Sequence, residues 1–251
     1  MFRRGPSGKR RARDSGGSHP LVSFDFNGEI ENGILRRIKP LFLRVFMNMA
    51  TNIKAVLWDM GGVVLRTEDP SFRRIWAARL KIDEKQLPKM VFDNEKTHDA
   101  TLGLITDNEL WVWINGQFGL SPEEGARFRK EFFDGDRMDW DLLKRIQNLR
   151  SQCKMGLLSN AWMDARQSVS TKYPGWDVFD FIFFSAEIHL MKPDPKIFQY
   201  VTDFMKVLPA ETIFVDDQVE NVEAANQFGI HGIRFYNSEQ ALQEVLHFLN
   251  S

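Results

Sequence analysis

The fold is decided by one stretch of the chain, Lys54-Ala55-Val56-Leu57-Trp58-Asp59-Met60-Gly61-Gly62-Val63-Val64. Its apolar run has no polar alternation, which predicts a strand buried on both faces, as in parallel sheets. Asp59 then falls at the carboxyl end of the strand, the edge where open α/β sheets bind ligands. Gly61 and Gly62 let the backbone turn sharply and approach a ligand closely. Read alone, the stretch favours a strand that simply ends in an Asp-containing turn.

The rest of the chain changes that interpretation, because further apolar runs also end in polar side chains. Strands are predicted at 154–158, 181–184, 212–215 and 230–235. The first of these is followed by Ser159-Asn160 and the third by Asp216-Asp217, while helical spacing separates the runs. Strands that alternate with helices predict an α/β fold with a Rossmann-like, doubly wound parallel sheet.

Residues 67–138 interrupt this alternation with helical and aromatic sequence. Ser121-Pro122 with Glu124 is a helix start with a capping box, and Asp107-Asn108-Glu109 begins another helix. Several short helices without strands between them predict a module inserted after the first strand. We therefore divide the chain into an N-terminal extension at 1–48, an α/β core at 49–66 and 139–251, and a helical module at 67–138.

Composition excludes several function classes. The chain of 251 residues is 43% hydrophobic and 27% charged, with a net charge of −1, so no global field attracts nucleic acid or membranes. The single cysteine, Cys153, excludes an internal disulfide, fits a reducing compartment and is predicted to be a packing residue. The five histidines show no metal-ligand spacing, and no apolar run is long enough to span a bilayer.

The N-terminal extension is basic and, near its start, rich in glycine and polar residues, which predicts disorder. Three interpretations stay open. The first is a transit peptide, because the start of the extension is Arg-rich and poor in acids. The second is a basic surface helix over 34–46, which Pro40 interrupts. The third is an extension without a role that ends near Met47 or Met49.

The polar residues at the strand ends have complementary chemistry. Asp216-Asp217 is a dense negative charge that suits Mg²⁺, which prefers oxygen ligands. A carboxylate such as Asp59 attacks an anionic phosphoryl group only if that charge is neutralised, and a metal ion with a fixed lysine does this. Lys192, in a loop bounded by prolines, is the candidate lysine, with a solvated loop lysine as the alternative. Likewise, Asp216-Asp217 is alternatively a solvated turn.

In this order the residues resemble the four motifs of the haloacid dehalogenase (HAD) superfamily, over about residues 51–251. The resemblance is closest to HAD-like hydrolases with a small helical cap, which is the role it implies for residues 67–138. It is carried by Asp59-Met60-Gly61-Gly62-Val63, Leu158-Ser159-Asn160-Ala161, Lys192-Pro193-Asp194-Pro195, and Val215-Asp216-Asp217 with Asn221 and Ala224-Ala225.

The resemblance implies a Mg²⁺-dependent phosphomonoester hydrolase that forms an aspartyl-phosphate and acts on a small phosphorylated metabolite such as a sugar phosphate. Asp217 is expected to orient either Lys192 or a metal-bound water, and Phe92, Trp111 and Trp113 are candidate cap contacts to the leaving group. The resemblance implies that Asp59 and Lys192 are catalytic. The implied phosphate contacts are Ser159, Asn160, Gly61 and Gly62. The implied Mg²⁺ ligands are Asp59, the Gly61 carbonyl, Asp216 and Asp217. We predict a cytoplasmic protein without nucleic-acid partner or membrane span, with monomer or homodimer left open.

Gly61 departs from the family pattern, which usually has a second aspartate at this position as general acid and base. Loss of such a group typically costs a factor of about 10² to 10⁴ in rate. Glu68 and Asp69 lie just downstream, but the sequence cannot place them near Asp59. The departure supports an alternative function, a HAD-fold binding or regulatory protein with weak or no turnover. A 2-haloacid dehalogenase is a further alternative, although its chemistry has no use for Asp216-Asp217.

Overall fold

The computed structural model of the protein describes residues 52–251, so the predicted extension at 1–48 and its three interpretations lie outside it. The strands are β1 (Ala55–Trp58), β2 (Leu65–Thr67), β3 (Asp136–Met138), β4 (Lys154–Ser159), β5 (Phe181–Phe184), β6 (Thr212–Asp216) and β7 (His231–Arg234). The α-helices are α1 (Ser71–Leu80), α2 (Gln86–Phe92), α3 (Glu95–Thr101), α4 (Asp107–Gln117), α5 (Pro122–Phe132), α6 (Trp140–Leu149), α7 (Ala165–Lys172), α8 (Ser185–Ile188), α9 (Pro195–Met205), α10 (Val219–Phe228) and α11 (Ser238–Leu249). Short 3₁₀ helices occupy Trp176–Val178 and Pro209–Glu211.

A five-stranded parallel sheet in the order β5-β4-β1-β6-β7 forms the core. β1 lies in its middle, and all four of its residues are fully buried. Val56 and Trp58 face one hydrophobic cluster, and Ala55 and Leu57 face another, so the strand is covered on both sides. This two-sided burial is why the run has no polar alternation. The α/β, doubly wound fold class predicted from the sequence is confirmed.

Helices α1 to α5 pack on one another around a separate hydrophobic cluster that includes Trp76, Trp111 and Phe128. The predicted capping box at Ser121 and Glu124 begins α5, and a second one, with Thr106 as its N-cap, begins α4. At the base of these helices β2 and β3 pair as an antiparallel ribbon, which the sequence did not predict. Strands of three residues are too short to show a periodic pattern.

Two further sequence predictions can be compared with the described residues. Cys153 is buried in the core, where burial raises the pKa of its thiol to about 11, and this agrees with a packing residue rather than a nucleophile. Among residues 52–251, no helix combines the length and the apolarity that crossing a bilayer requires.

Candidate active site

The carboxyl ends of three neighbouring strands meet at one edge of the sheet. Trp58 of β1 is in register with Leu157 of β4 and Val215 of β6. The residues that follow, beginning with Asp59 and Asp216, therefore reach the same edge. The backbone N–H of Asp59 donates to the carbonyl of Val215 over 2.8 Å, which extends this register into the site.

Lys192 connects these strand ends, although it is 133 residues from Asp59 in the sequence. Its ammonium group donates to Asp59 Oδ1 over 2.6 Å, to Asp216 Oδ2 over 2.7 Å and to the carbonyl of Leu158 over 3.0 Å. These contacts use all three ammonium protons. The side chain is 1% exposed, so the alternative of a solvated loop lysine is wrong.

Asn160 fixes the loop that carries Lys192. Its Nδ2 donates to the Lys192 carbonyl, and its Oδ1 accepts from the Lys192 N–H, both over 2.8 Å. The sequence predicted Asn160 as a phosphate contact and missed this paired contact with the lysine backbone. The contact gives Asn160 a positioning role, and a direct bond to phosphate stays a prediction.

Asp216 is fully buried at the end of β6, so the alternative of a solvated turn is wrong for this residue. Asn221 Nδ2 lies 3.1 Å from each of its carboxylate oxygens, and the Gln218 N–H donates to Oδ1 over 2.8 Å. Charge-assisted bonds of this kind are stronger than bonds between neutral groups, so they fix the orientation of this buried carboxylate. Sequence analysis identified Asn221 only as part of a motif, because its contact with Asp216 cannot be inferred from spacing.

Asp217 has different contacts from Asp216. Its Oδ2 accepts from Gln218 Nε2 over 2.7 Å, whereas the three Lys192 protons are used elsewhere. The expectation that Asp217 orients Lys192 is therefore wrong, because Asp216 makes that contact. The alternative role of Asp217, orienting a metal-bound water, stays a prediction.

Asp59, Asp216 and Asp217 each offer one oxygen, and these oxygens lie within 4.8 Å of one another. Two oxygens bound to one Mg²⁺ at about 2.1 Å are at most about 4.2 Å apart, so a small adjustment would bring them around a single ion. Lys192 neutralises only part of this charge. The donor set and its excess negative charge therefore fit a hard divalent cation, whereas the Gly61 carbonyl as a further ligand stays a prediction.

The pKa values of Asp59, Asp217 and Lys192 are shifted because these charged groups are buried close to one another. Burial raises the pKa of Asp59 from the usual 3.8 to about 7, against the opposing effect of Lys192. Burial and the neighbouring Asp216 raise the pKa of Asp217 as well. Burial alone would lower the pKa of Lys192, but its two carboxylate partners outweigh that effect and raise it. A second cation would relieve the repulsion among the carboxylates.

Gly61 and Gly62 differ sharply in what surrounds them. Gly62 has a φ of +83°, and a Cβ there would lie 2.6 Å from the Asp217 carboxylate, whereas a Cβ on Gly61 would meet nothing within 4 Å. We expect Gly62→Ala to displace Asp217 and to lower the free energy of unfolding by about 1–3 kcal/mol. Gly61→Ala is the matched control and should change it by less than about 1 kcal/mol. Equal losses in chemical denaturation of the two variants would contradict this prediction.

The remaining sequence candidates lie around this edge. Ser159 ends β4 and is buried between Leu158 and Asn160, which both bind Lys192. Of the aromatic candidates, Trp111 is buried among the helices, while Phe92 is 45% exposed. Both contact Trp162, with ring centroids 5.9 Å away in each case. The sequence analysis did not single out Trp162, which follows the Ser159-Asn160 loop and packs into the helical cluster.

Comparison with known proteins gives consistent matches. The family model described as haloacid dehalogenase-like hydrolase matches residues 53–229. The sesquiterpene phosphatase astK of Aspergillus oryzae is 28% identical over 198 residues, covering 78% of this chain and 97% of its own. The D-ribitol-5-phosphate phosphatase of Bacteroides thetaiotaomicron is 26% identical over 208 residues, covering 79% of this chain and all of its own.

Among solved structures, a wild-type HAD family enzyme of Bacteroides thetaiotaomicron, in complex with magnesium and inorganic phosphate, has the same fold. It superposes with a TM-score of 0.60 at 23% identity, covering 72% of this chain and 93% of that one. The family match spans strands β1 to β6, helices α1 to α5 and the strand ends that carry Asp59, Asn160 and Asp216. The chain belongs to the family of haloacid dehalogenase-like hydrolases.

Proposed function

We propose that the protein is a Mg²⁺-dependent phosphomonoester hydrolase that acts on a small phosphorylated metabolite such as a sugar phosphate. One observation carries this proposal, the buried ammonium group of Lys192 between Asp59 and Asp216, with Asp217 close by. A fixed lysine and a cluster of carboxylates are the parts that phosphoryl transfer requires. The phosphatase activities of two relatives, and the magnesium and phosphate bound by the structural neighbour, support it.

In the proposed reaction an Asp59 oxygen attacks phosphorus, the ester oxygen leaves, and an aspartyl-phosphate forms that water then hydrolyses. Lys192 holds Asp59 in place and neutralises charge on the phosphoryl oxygens, with Ser159 and the amides after Asp59 as further donors. When bound by Asp59, Asp216 and Asp217, Mg²⁺ would supply additional charge neutralisation. Residues 67–138 would act as a cap that excludes water from the site.

The experiment measures phosphate release from a panel of phosphorylated metabolites and from an aryl phosphate, with Mg²⁺ and with a chelator. The aryl phosphate is included because its leaving group needs little protonation, and Gly61 offers no proton donor. We expect Mg²⁺-dependent release that Asp59→Asn lowers by at least about 10³.

The rival functions predict different results in this assay and in two parallel measurements, Mg²⁺ binding and chloride release. Release by Asp59→Asn at the wild-type rate would refute the proposed nucleophile. Mg²⁺ binding without hydrolysis of any panel member would favour the binding protein that Gly61 suggests. Chloride release from a 2-haloacid without Mg²⁺ would instead indicate a dehalogenase.

A further inference from the structure

Gly61 leaves an open space beside the proposed nucleophile. It lies two residues after the buried Asp59 and is itself exposed. A Cβ on Gly61 would meet nothing within 4 Å, and its φ lies outside the left-handed region that favours glycine. In contrast to Gly62, neither the space nor the backbone conformation requires a glycine here. An aspartate would fit, so what this position lacks is a group that transfers a proton.

The two carboxylates that follow in the sequence do not replace that group. The N–H groups of Glu68 and Asp69 both donate to the Gly135 carbonyl over 3.1 Å, at the base of the helical module. The Asp69 carboxylate accepts from the Ser71 N–H over 2.9 Å, and hydrogen bonds from Ser71 lower the pKa of Asp69, which disfavours its acid form. The Glu68 side chain is 56% exposed. Within residues 52–251, neither of them belongs to the cluster of carboxylates around Asp59.

The polar groups that do lie beside Asp59 are already occupied. All three ammonium protons of Lys192 are bound, to Asp59, to Asp216 and to the carbonyl of Leu158. Asp217 accepts from a side-chain amide over 2.7 Å and is a proposed ligand of Mg²⁺. None of these groups has a proton to give to the oxygen that leaves phosphorus.

The lack of a proton donor slows the reaction of some leaving groups far more than that of others. The leaving oxygen takes both electrons of the P–O bond and, without a donor, departs as an anion. An ordinary alcohol is about as weak an acid as water, whose pKa is about 15.7. A phenol has a pKa of about 10 and a phosphate group a second pKa of about 6. The factor of about 10² to 10⁴ that a general acid supplies is therefore needed by the alcohol and hardly by the phosphate.

We infer that the protein acts on phosphate groups joined to an oxygen that is stable as an anion, as in a phenol, an enol, the anomeric position of a sugar or a second phosphate. Asp59 forms the new bond to phosphorus, and the bond to this oxygen breaks without proton transfer. Water then displaces Asp59 from phosphorus, and its proton passes to solvent. This substrate class rests on the proposed phosphatase function and narrows it. Among sugar phosphates it favours the anomeric esters, because the ring oxygen withdraws electrons from the leaving oxygen.

The experiment measures kcat/KM with Mg²⁺ for two sugar phosphates and for a series of phenyl phosphates. The sugar phosphates are an aldohexose 1-phosphate and the 6-phosphate of the same sugar, while substituents on the phenyl ring vary the acidity of the leaving oxygen. We expect kcat/KM to rise steeply with that acidity, and the 1-phosphate to exceed the 6-phosphate by about tenfold or more.

Gly61→Asp supplies the missing acid in the space that the glycine leaves open. It should raise kcat/KM for the 6-phosphate by about tenfold or more and flatten the dependence across the phenyl series. Gly61→Asn is the matched control, because asparagine has the same size but no acidic proton, and it should produce neither effect. Hydrolysis of the most acidic phenyl ester by Gly61→Asp shows that this variant is folded.

The wild-type series tests the substrate class without any variant. Equal kcat/KM across the phenyl series and for both sugar phosphates would overturn it and leave the phosphatase standing. A Gly61→Asp variant that hydrolyses phenyl phosphates but gains nothing on the 6-phosphate would overturn it too, as would an equal gain in Gly61→Asn. No release from any substrate with Mg²⁺ present overturns the proposed function and the substrate class with it.

Discussion

Lys192→Met is expected to lower the rate of phosphate release by about 10³ and the free energy of unfolding by about 3–5 kcal/mol. Methionine has a similar length but no charge, so Asp59 and Asp216 lose a partner that lies 2.6 and 2.7 Å away. Both carboxylates are buried and would repel each other without compensation. Steady-state kinetics and urea unfolding measure the two effects.

Lys196→Met is the matched control, because Lys196 is exposed in the first turn of α9, four residues further along the same segment. It should change the free energy of unfolding by less than about 0.5 kcal/mol. If Lys192→Met were as stable and as active as this control, the central position of Lys192 in the candidate site would be wrong.

Asp59→Asn is expected to have opposite effects on activity and stability. It removes the proposed nucleophile, but in metal-free protein at pH 8 it should raise the free energy of unfolding by about 2–4 kcal/mol. The pKa of Asp59 is raised from 3.8 to about 7, so between these pH values the folded protein retains a proton that the unfolded chain releases. The contribution of Asp59 to wild-type stability therefore falls as the pH rises from about 4 to 7, and Asn removes this pH dependence.

Urea unfolding in the presence of a chelator at pH 4 and pH 8 measures this difference. The stability of Asp59→Asn relative to wild type should rise between the two pH values. Asp203→Asn, at an exposed position of α9, should show no such rise. Mg²⁺ should narrow the difference at pH 8, because a ligand that binds only the folded form stabilises it. A constant difference between wild type and Asp59→Asn at both pH values would contradict a strongly raised pKa of Asp59.

The sequence predicted the structure best where several consecutive residues must all be buried. β1, β4 and β6 are buried on both faces, so each is an apolar run whose end is visible as a polar residue. The parallel sheet then places those ends at one edge. Fold class and the proximity of Asp59 to Asp216 could both be predicted for this reason, whereas Lys192 lies in a loop and was identified as a candidate from its chemistry.

Other features depend on contacts that spacing does not encode. The different partners of Asp216 and Asp217 arise where β6 ends, since Asp216 is its last residue, Asp217 follows it, and successive residues of an extended chain point in opposite directions. The pairing of Asn160 with the Lys192 backbone joins residues 32 positions apart. Likewise, one sequence does not show which aromatic residues of the helices are exposed, because Phe92 and Trp111 look alike in it although their burial differs.

Trp162 limits how freely this protein could exchange parts with its relatives during evolution or in chimera design. It follows β4 in the α/β core, yet its ring packs against Phe92, Trp111 and Phe133 of the helical module. A module transplanted from another protein would have to provide a surface that accommodates this ring. The helices and the loop after β4 therefore pack as one unit, and a chimera that joins them from different parents would need Trp162 to be chosen together with the helices.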